Sequence, residues 1–150
     1  MMRTLLIGVG APLRGDDGVG LHVVRRLQAR GLPPGWTAAE VCGDWLALVD
    51  RLQGVERLVV VDAWAGQEAP GTIVEWAAPT AADARATPAL GHGVGLVELL
   101  DLARLLGIAG PIETRIFGIQ VGDLSRYSEE CSPEVAAAID EACARVLALG

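Results

Sequence analysis

Short apolar runs alternate with amphipathic stretches along most of the chain, and the two patterns predict different elements. Compact apolar runs bounded by Gly, Pro or polar residues predict strands, over residues 4–9, 37–41, 56–64, 71–77 and 113–119. Apolar residues at helical spacing predict helices, over residues 17–29, 44–53, 94–106 and from Ser132-Pro133 onward. Asp44 and Ser132 are the expected N-caps of the second and last helices.

This alternation predicts an α/β fold in which helices pack on a mostly parallel, twisted sheet of about five strands. The strands at 56–64 and 71–77 have no full helix between them, so one strand is expected to be antiparallel or at an edge. A length of 150 residues without internal repeats predicts one domain over residues 1–150. Residues 78–90 and 120–131 are expected to be loops.

Charge and composition exclude several classes of function. The formal net charge is −7, and no basic run extends beyond Arg25-Arg26, which argues against binding to nucleic acid or to an anionic membrane. No apolar run approaches the ~20 residues that span a bilayer, and the first strand lacks a signal-peptide cleavage pattern. We therefore expect a cytoplasmic protein. Three widely spaced cysteines without a C-x-x-C motif predict unpaired thiols: Cys42, Cys131 and Cys143.

The glycine-rich segment "GAPLRGDDGVG", residues 10–20, joins the first strand to the first helix. Gly10 and Gly15 have the spacing of a phosphate-binding P-loop, but Asp16 and Asp17 stand where that loop carries Lys and Ser or Thr. Two like charges ~4 Å apart cost about 4 kcal/mol at an effective dielectric of 20, so a nucleotide phosphate is disfavoured. Two interpretations of the aspartates stay open, a helix cap and a cation site.

Two further residues favour the cation site. Asp62 is expected to end an apolar strand, where a buried carboxylate needs a partner or a cation. His92, in "GHGVGL", directly precedes a helix and can reach the same edge of the sheet. One carboxylate of the Asp16–Asp17 pair, Asp62 and His92 thus form a predicted donor set suited to zinc or nickel, with positions left for water or substrate. His22 is expected to be structural, since five helical residues turn it about 140° from Asp17.

The segments "LLIGVGAPLRGDDGVG", "VVVDA", "GHGVGL", "FGI" and "SPEVAAAI" together resemble the [NiFe]-hydrogenase maturation endopeptidases, in the same order over nearly the whole chain. The resemblance implies a three-layer αβα sandwich that cleaves a C-terminal extension from the hydrogenase large-subunit precursor after nickel insertion. It implies that Asp17, Asp62 and His92 contact nickel held in the precursor, that zinc or cadmium can occupy the site in vitro, and that the protein is a monomer. Ala11 and Gln120 depart from the family, which usually has Asn and an acidic residue there.

Two chemical roles are open for the predicted metal. The chain lacks G-x-S-x-G and an evident histidine-paired serine or cysteine, which disfavours a nucleophilic protease. The metal either polarises the scissile carbonyl or a bound water, with Asp17 or Asp62 accepting the proton, or serves recognition only. Asp16 is expected to cap the helix or to orient Asp17. Trp64 is expected to contact the precursor, and residues 78–90 and 120–131 to form walls of the cleft.

A function from another class also stays open. Because Ala11 replaces the usual Asn, the chain could be a metal-responsive binding module or chaperone that docks on the precursor without cutting it. Trp45 and Trp76 are expected to pack in the core. A shortened precursor indicates the enzyme, and an intact precursor in a stable complex indicates the binding module.

Overall fold

The computed structural model describes residues 2–78, 94–122, 124 and 127–150. The predicted loop at 78–90 falls, beyond residue 78, outside these residues, and so does His92. The strands are β1 Thr4–Val9, β2 Trp36–Val41, β3 Arg57–Trp64, β4 Ile73–Ala78 and β5 Glu113–Gln120. The α-helices are α1 Val19–Arg30, α2 Val94–Leu105 and α3 Pro133–Leu147, and two 3₁₀ helices span Gly15–Gly18 and Leu46–Leu52.

The five strands form one sheet in the order β2-β1-β3-β5-β4. All neighbouring pairs are parallel except β4 with β5, which is antiparallel and lies at the edge. The prediction of a mostly parallel sheet with one antiparallel strand is confirmed. The β3 side chains are buried from Arg57 through Ala63, as expected of a parallel strand covered on both faces.

Helices cover both faces of this sheet and complete three layers. On one face, α1 and α3 pack on strand residues such as Leu6 and Val59. On the other, α2 and the Leu46–Leu52 helix pack on residues such as Leu5 and Ile7. The alternation of Leu5, Leu6 and Ile7 between the two cores follows from the two-residue period of a strand. The expected αβα sandwich is therefore confirmed.

Two predicted helices are present but are partly or wholly 3₁₀ in form. A short helix was predicted over residues 44–53, and the structure has the 3₁₀ helix Leu46–Leu52 there, in which Leu52 is the buried residue. With so little buried surface, packing does not favour a longer helix. Asp44 Oδ1 still accepts a hydrogen bond from the Ala47 backbone N at 3.3 Å. The first helix starts as the 3₁₀ turn Gly15–Gly18 and becomes α-helical at Val19.

Gly20 explains how closely the first helix approaches the sheet. A Cβ atom at Gly20 would collide with the carbonyl oxygens of Val9 and Val61. Only a residue without a side chain lets α1 begin this close to β1 and β3. In the part of the chain that the structure describes, no helix is long and apolar enough to cross a membrane.

Candidate functional site at the carboxyl edge of the sheet

Asp62 lies inside β3 rather than at its end, which corrects the sequence-based expectation. β3 continues to Trp64, and Asp62 pairs in register with Gly118 of β5. On the other side, the pairing of β1 with β3 stops at Gly8 and Val61. Asp62 therefore lies one residue beyond the last β1–β3 pair, at the edge where ligands bind in open α/β sheets.

The Asp62 side chain is completely buried. Its Oδ1 accepts a hydrogen bond from the Ala63 backbone N at 2.7 Å. Removing a carboxylate from water is costly unless polar partners or a cation compensate it. This burial gives Asp62 the low-dielectric surroundings in which a carboxylate acts strongly on a cation or a proton.

Asp17 is half-buried and sits in the 3₁₀ turn Gly15–Gly18, which contacts β3. Its backbone carbonyl accepts a hydrogen bond from the Ala11 N at 3.3 Å, and its N donates to the Arg14 carbonyl at 3.2 Å. At Gly10, a Cβ atom would collide with the Asp17 carbonyl. The loop is thus closed tightly on itself, and its backbone places Asp17 at the same edge as Asp62.

Asp16 has a different role from the predicted helix cap. The 3₁₀ turn has no side-chain cap. The Asp16 carboxylate, in a residue only 1% exposed, instead accepts hydrogen bonds from the backbone N of Gly122 and from the backbone N and Oγ of Ser132. The capping part of the prediction is wrong because these distant donors claim both carboxylate oxygens.

Ser132 is the N-cap residue of α3 by position, as predicted, but not by side-chain hydrogen bonding. Pro133 stands at the start of the helix, also as predicted. The hydroxyl donates to Asp16 Oδ2 at 2.8 Å. No local sequence signal distinguishes a capping serine from one that bonds a carboxylate 116 residues away.

The third predicted donor, His92, lies outside the described residues, so the three-point metal site stays a prediction. Among the residues that are described, no group of three or more His, Cys, Asp or Glu side chains is placed to hold a metal ion. His22 has the structural role expected of it, with Nε2 at 2.9 Å from the carbonyl oxygen of Glu129.

Gln120, at the end of β5, braces the neighbouring loop. Its Oε1 accepts a hydrogen bond from the Gly66 N at 3.0 Å, and its Nε2 donates to the Val121 carbonyl at 3.1 Å. Gln120 therefore holds the turn that follows β3 against the end of β5. Sequence reasoning noted only that this residue departs from an acidic one, and missed the bracing role.

The tryptophans divide between core and edge. Trp45 is buried in the core, as predicted. Trp64 is half-buried, packs edge-on against Trp76 with ring centroids 5.0 Å apart, and donates from Nε1 to Glu68 at 3.1 Å. A precursor contact by Trp64 stays a prediction.

Cys131 is close to the candidate site but is unsuited to be a nucleophile. Burial and, to a lesser extent, the Asp16 carboxylate raise the pKa of its thiol to about 11. Burial also raises the pKa of Cys143. Because the thiolate is the reactive form, these shifts disfavour Cys131 and Cys143 as nucleophiles, in agreement with the sequence. All three cysteines are unpaired, as predicted.

Comparison with known proteins shows which family has this arrangement. Residues 21–149 match the family model of the hydrogenase maturation protease HycI. The hydrogenase expression/formation protein HupD of Rhodobacter capsulatus is 29% identical over 152 residues, covering 97% of this chain and 70% of that protein. Both of these findings concern most of the chain.

Solved structures agree in fold. The [NiFe] hydrogenase maturation protease HybD from Thermococcus kodakarensis aligns with a TM-score of 0.83 and 28% identity, covering 99% of each chain. The hydrogenase maturating endopeptidase HybD from E. coli aligns with a TM-score of 0.81 and 26% identity, covering 99% of this chain and 91% of that one. These alignments span the loop that carries Asp16 and Asp17, which precedes the residues matched by the family model. The chain belongs to the hydrogenase maturation protease family.

Proposed function

We propose that this protein removes the C-terminal extension of a [NiFe]-hydrogenase large-subunit precursor, and that it recognises the nickel already inserted in that precursor. The coarser part, a hydrolase acting in hydrogenase maturation, follows from the family. The nickel-dependent part rests on one observation above all. A completely buried carboxylate, Asp62, lies at the same sheet edge as the tightly held turn that carries Asp17.

The residues of this chain supply carboxylate chemistry suited to that task. In the proposal, Asp17 and Asp62 are the acidic donors, and His92, which lies two residues before α2 in the sequence, completes the set. Two carboxylates and an imidazole suit a borderline divalent ion such as nickel or zinc, and cadmium is a reasonable substitute in vitro. Nickel belongs to the substrate here, where it supplies a positive charge that the acidic edge can recognise.

Proton transfer is the second task of these residues. Hydrolysis of a peptide bond needs a base that takes a proton from the attacking water, within hydrogen-bond reach. Asp17 is half-buried and so has access to water, whereas Asp62 is completely buried. We therefore assign the base to Asp17, in addition to its place among the donors, and assign recognition of the cation alone to Asp62 and His92. Cys131, with its pKa raised to about 11, is not part of the chemistry.

The test is cleavage of nickel-loaded precursor by single variants, followed by mass spectrometry of the large subunit. We expect Asp17→Asn, Asp62→Asn and His92→Gln each to lower the cleavage rate by about 100-fold or more, the scale of lost acid–base catalysis. Asp50→Asn is the matched control, because Asp50 is an exposed carboxylate on the Leu46–Leu52 helix. It is expected to cut at the wild-type rate.

Two outcomes would contradict the proposal. Wild-type rates in all three site variants would remove the assigned site. An intact precursor held in a stable complex with the wild-type protein would indicate a binding module in place of a protease. Ala11 does not favour that alternative, since its backbone N and O already close the loop through Asp17 and Arg14 without a side chain.

A further inference from the structure

Asp16 joins three segments that are distant in sequence. Its Oδ1 accepts a hydrogen bond from the Ser132 backbone N at 2.6 Å. Its Oδ2 accepts hydrogen bonds from the Gly122 backbone N at 2.9 Å and from the Ser132 Oγ at 2.8 Å. Asp16 belongs to the turn that carries Asp17, Gly122 follows β5, and Ser132 starts α3. One side chain thus ties this turn to two elements of the core.

Backbone hydrogen bonds extend the same connection. The segment of residues 127–132, here called the strap, precedes α3. The Ser128 N donates to the Leu13 carbonyl at 2.9 Å, and the Gly15 N donates to the Ser128 carbonyl at 2.8 Å. The strap therefore lies along the loop that leads to Asp17, and Asp16 bonds the end of the strap at Ser132.

A carboxylate is required at this position by the arrangement of donors. Ser132 presents a backbone N–H to one oxygen, and Gly122 presents a backbone N–H to the other. An asparagine has one oxygen and one NH₂ group, so in either orientation a donor would face a donor. A buried polar group left in this state is destabilising, even though Asn has almost the same shape as Asp.

We propose that Asp16 is a positioning residue, which holds the 3₁₀ turn so that the Asp17 side chain meets the substrate at the sheet edge. The proposal rests on the proposed function of Asp17 and adds a role for its neighbour. Asp16 is buried and has both oxygens bonded within the protein, so it acts through the backbone of the turn. Small displacements of a reacting group slow the chemical step. Loss of the Asp16 carboxylate is therefore expected to lower kcat.

The experiment compares Asp16→Asn with the wild-type protein in two measurements. In precursor cleavage, we expect kcat to fall by about tenfold or more, as for a displaced catalytic group, with KM little changed. In hydrogen–deuterium exchange, we expect faster exchange of the amides of residues 10–18, because the Ala11–Asp17 hydrogen bond belongs to the released turn.

Matched variants separate positioning from a general loss of stability. Val146→Ala removes buried methyl groups from α3, away from the strap, and is expected to lower Tm without changing kcat or exchange in residues 10–18. Ser132→Ala removes one of the three donors and is expected to lower kcat by less than Asp16→Asn. Ser132→Thr keeps the hydroxyl and is expected to restore wild-type kcat. If Asp16→Asn does not fold, the two Ser132 variants carry the test.

The results also separate this inference from the proposed function. A wild-type protein that leaves nickel-loaded precursor uncut contradicts the proposed function, and the exchange data then decide whether Asp16 holds the turn. A wild-type protein that cuts, with wild-type kcat and exchange in Asp16→Asn, overturns the role of Asp16 alone. Equal losses of kcat in Asp16→Asn and Val146→Ala would likewise reduce Asp16 to a contributor to stability.

Discussion

At the scale of single residues, the site is a group of acidic side chains whose surroundings differ. Asp62 is completely buried within β3, Asp16 is buried and bonded on both oxygens, and Asp17 is half-buried. In our proposals the same residue type therefore serves three purposes: recognition of a cation by Asp62, positioning by Asp16, and proton transfer by Asp17. The Asp16 carboxylate also helps to raise the pKa of the neighbouring Cys131 thiol.

Alkylation of the cysteines tests this description of Cys131. At pH 8 the thiol, whose pKa is raised to about 11, is almost entirely protonated, and iodoacetamide reacts with the thiolate. Cys42 is exposed, so we expect it to react first and Cys131 only slowly until the protein is unfolded in urea. Peptide mass spectrometry measures both rates. Equal rates for Cys42 and Cys131 in the folded protein would contradict the assigned burial and charge.

The same pKa shift predicts a dependence of stability on pH. Folding raises the pKa of Cys131, so the folded state binds this proton more tightly than the unfolded state does. The resulting stabilisation is fully present below the unfolded thiol pKa of about 8.5. It is lost as the pH rises toward about 11, the pKa in the folded protein.

At the scale of elements, the junction between β1 and α1 decides where Asp17 lies. The loop closes through Gly10, the 3₁₀ turn contacts β3, and α1 starts directly over the sheet at Gly20. Each step depends on close contact between backbones, which a side chain would prevent. The geometry of the candidate site is therefore coupled to the packing of the first helix.

Gly20→Ala tests that coupling. The added Cβ would overlap the carbonyl oxygens of Val9 and Val61, so α1 must move away from the sheet. We expect the free energy of unfolding to fall by about 1–3 kcal/mol, as for overpacked cores, and precursor cleavage to slow. Gly110→Ala is the control, since nothing lies within 4 Å of its Cβ position. Urea unfolding that is indistinguishable between the two variants would show that the close contact is unimportant.

At the scale of the whole molecule, the candidate site lies at one edge of the sheet, and the packed helices lie on its two faces. Both faces are covered by helices, and the carboxyl ends of β1, β3 and β5 point to the same edge. In the proposed function, this edge meets the nickel of a large precursor rather than a free ion. The ion then arrives with the substrate.

Removal of the metal from either partner tests this arrangement. Nickel-free precursor is expected to be cut at least about tenfold more slowly than nickel-loaded precursor, because the acidic edge then has no cation to bind. A tenfold effect corresponds to ~1.4 kcal/mol of lost binding. Pretreating the protein alone with a chelator, followed by removal of the chelator, is expected to leave the rate unchanged. Mass spectrometry of the large subunit measures the extent of cleavage in both experiments. Loss of activity from the chelated protein would place the metal in the protein itself.

Much of the fold was predictable because buried strands have a local signature. β1 is observed at the predicted residues 4–9, since a strand covered on both faces needs a continuous apolar run. The antiparallel edge strand followed from the missing helix between β3 and β4. The short helix predicted at 44–53 is observed as the 3₁₀ helix Leu46–Leu52, and its 3₁₀ form was not predictable because helical spacing does not report how much surface is buried. Asp62 was placed too close to the strand end because the pairing of β3 with β5 continues to Trp64 and Gln120, beyond the last pair of β3 with β1.

The sequence by itself determined the α/β alternation, the unpaired cysteines and the reversal of charge in a loop shaped like a phosphate-binding one. These features are set by residue type and local spacing, which any short window of the chain contains. Only the tertiary structure decided the strand order, the burial of Asp62, and the bonding of Asp16 to Gly122 and Ser132. A buried polar group takes its partners from whatever the fold brings beside it. Those partners here lie more than a hundred residues away and leave no trace in the local pattern.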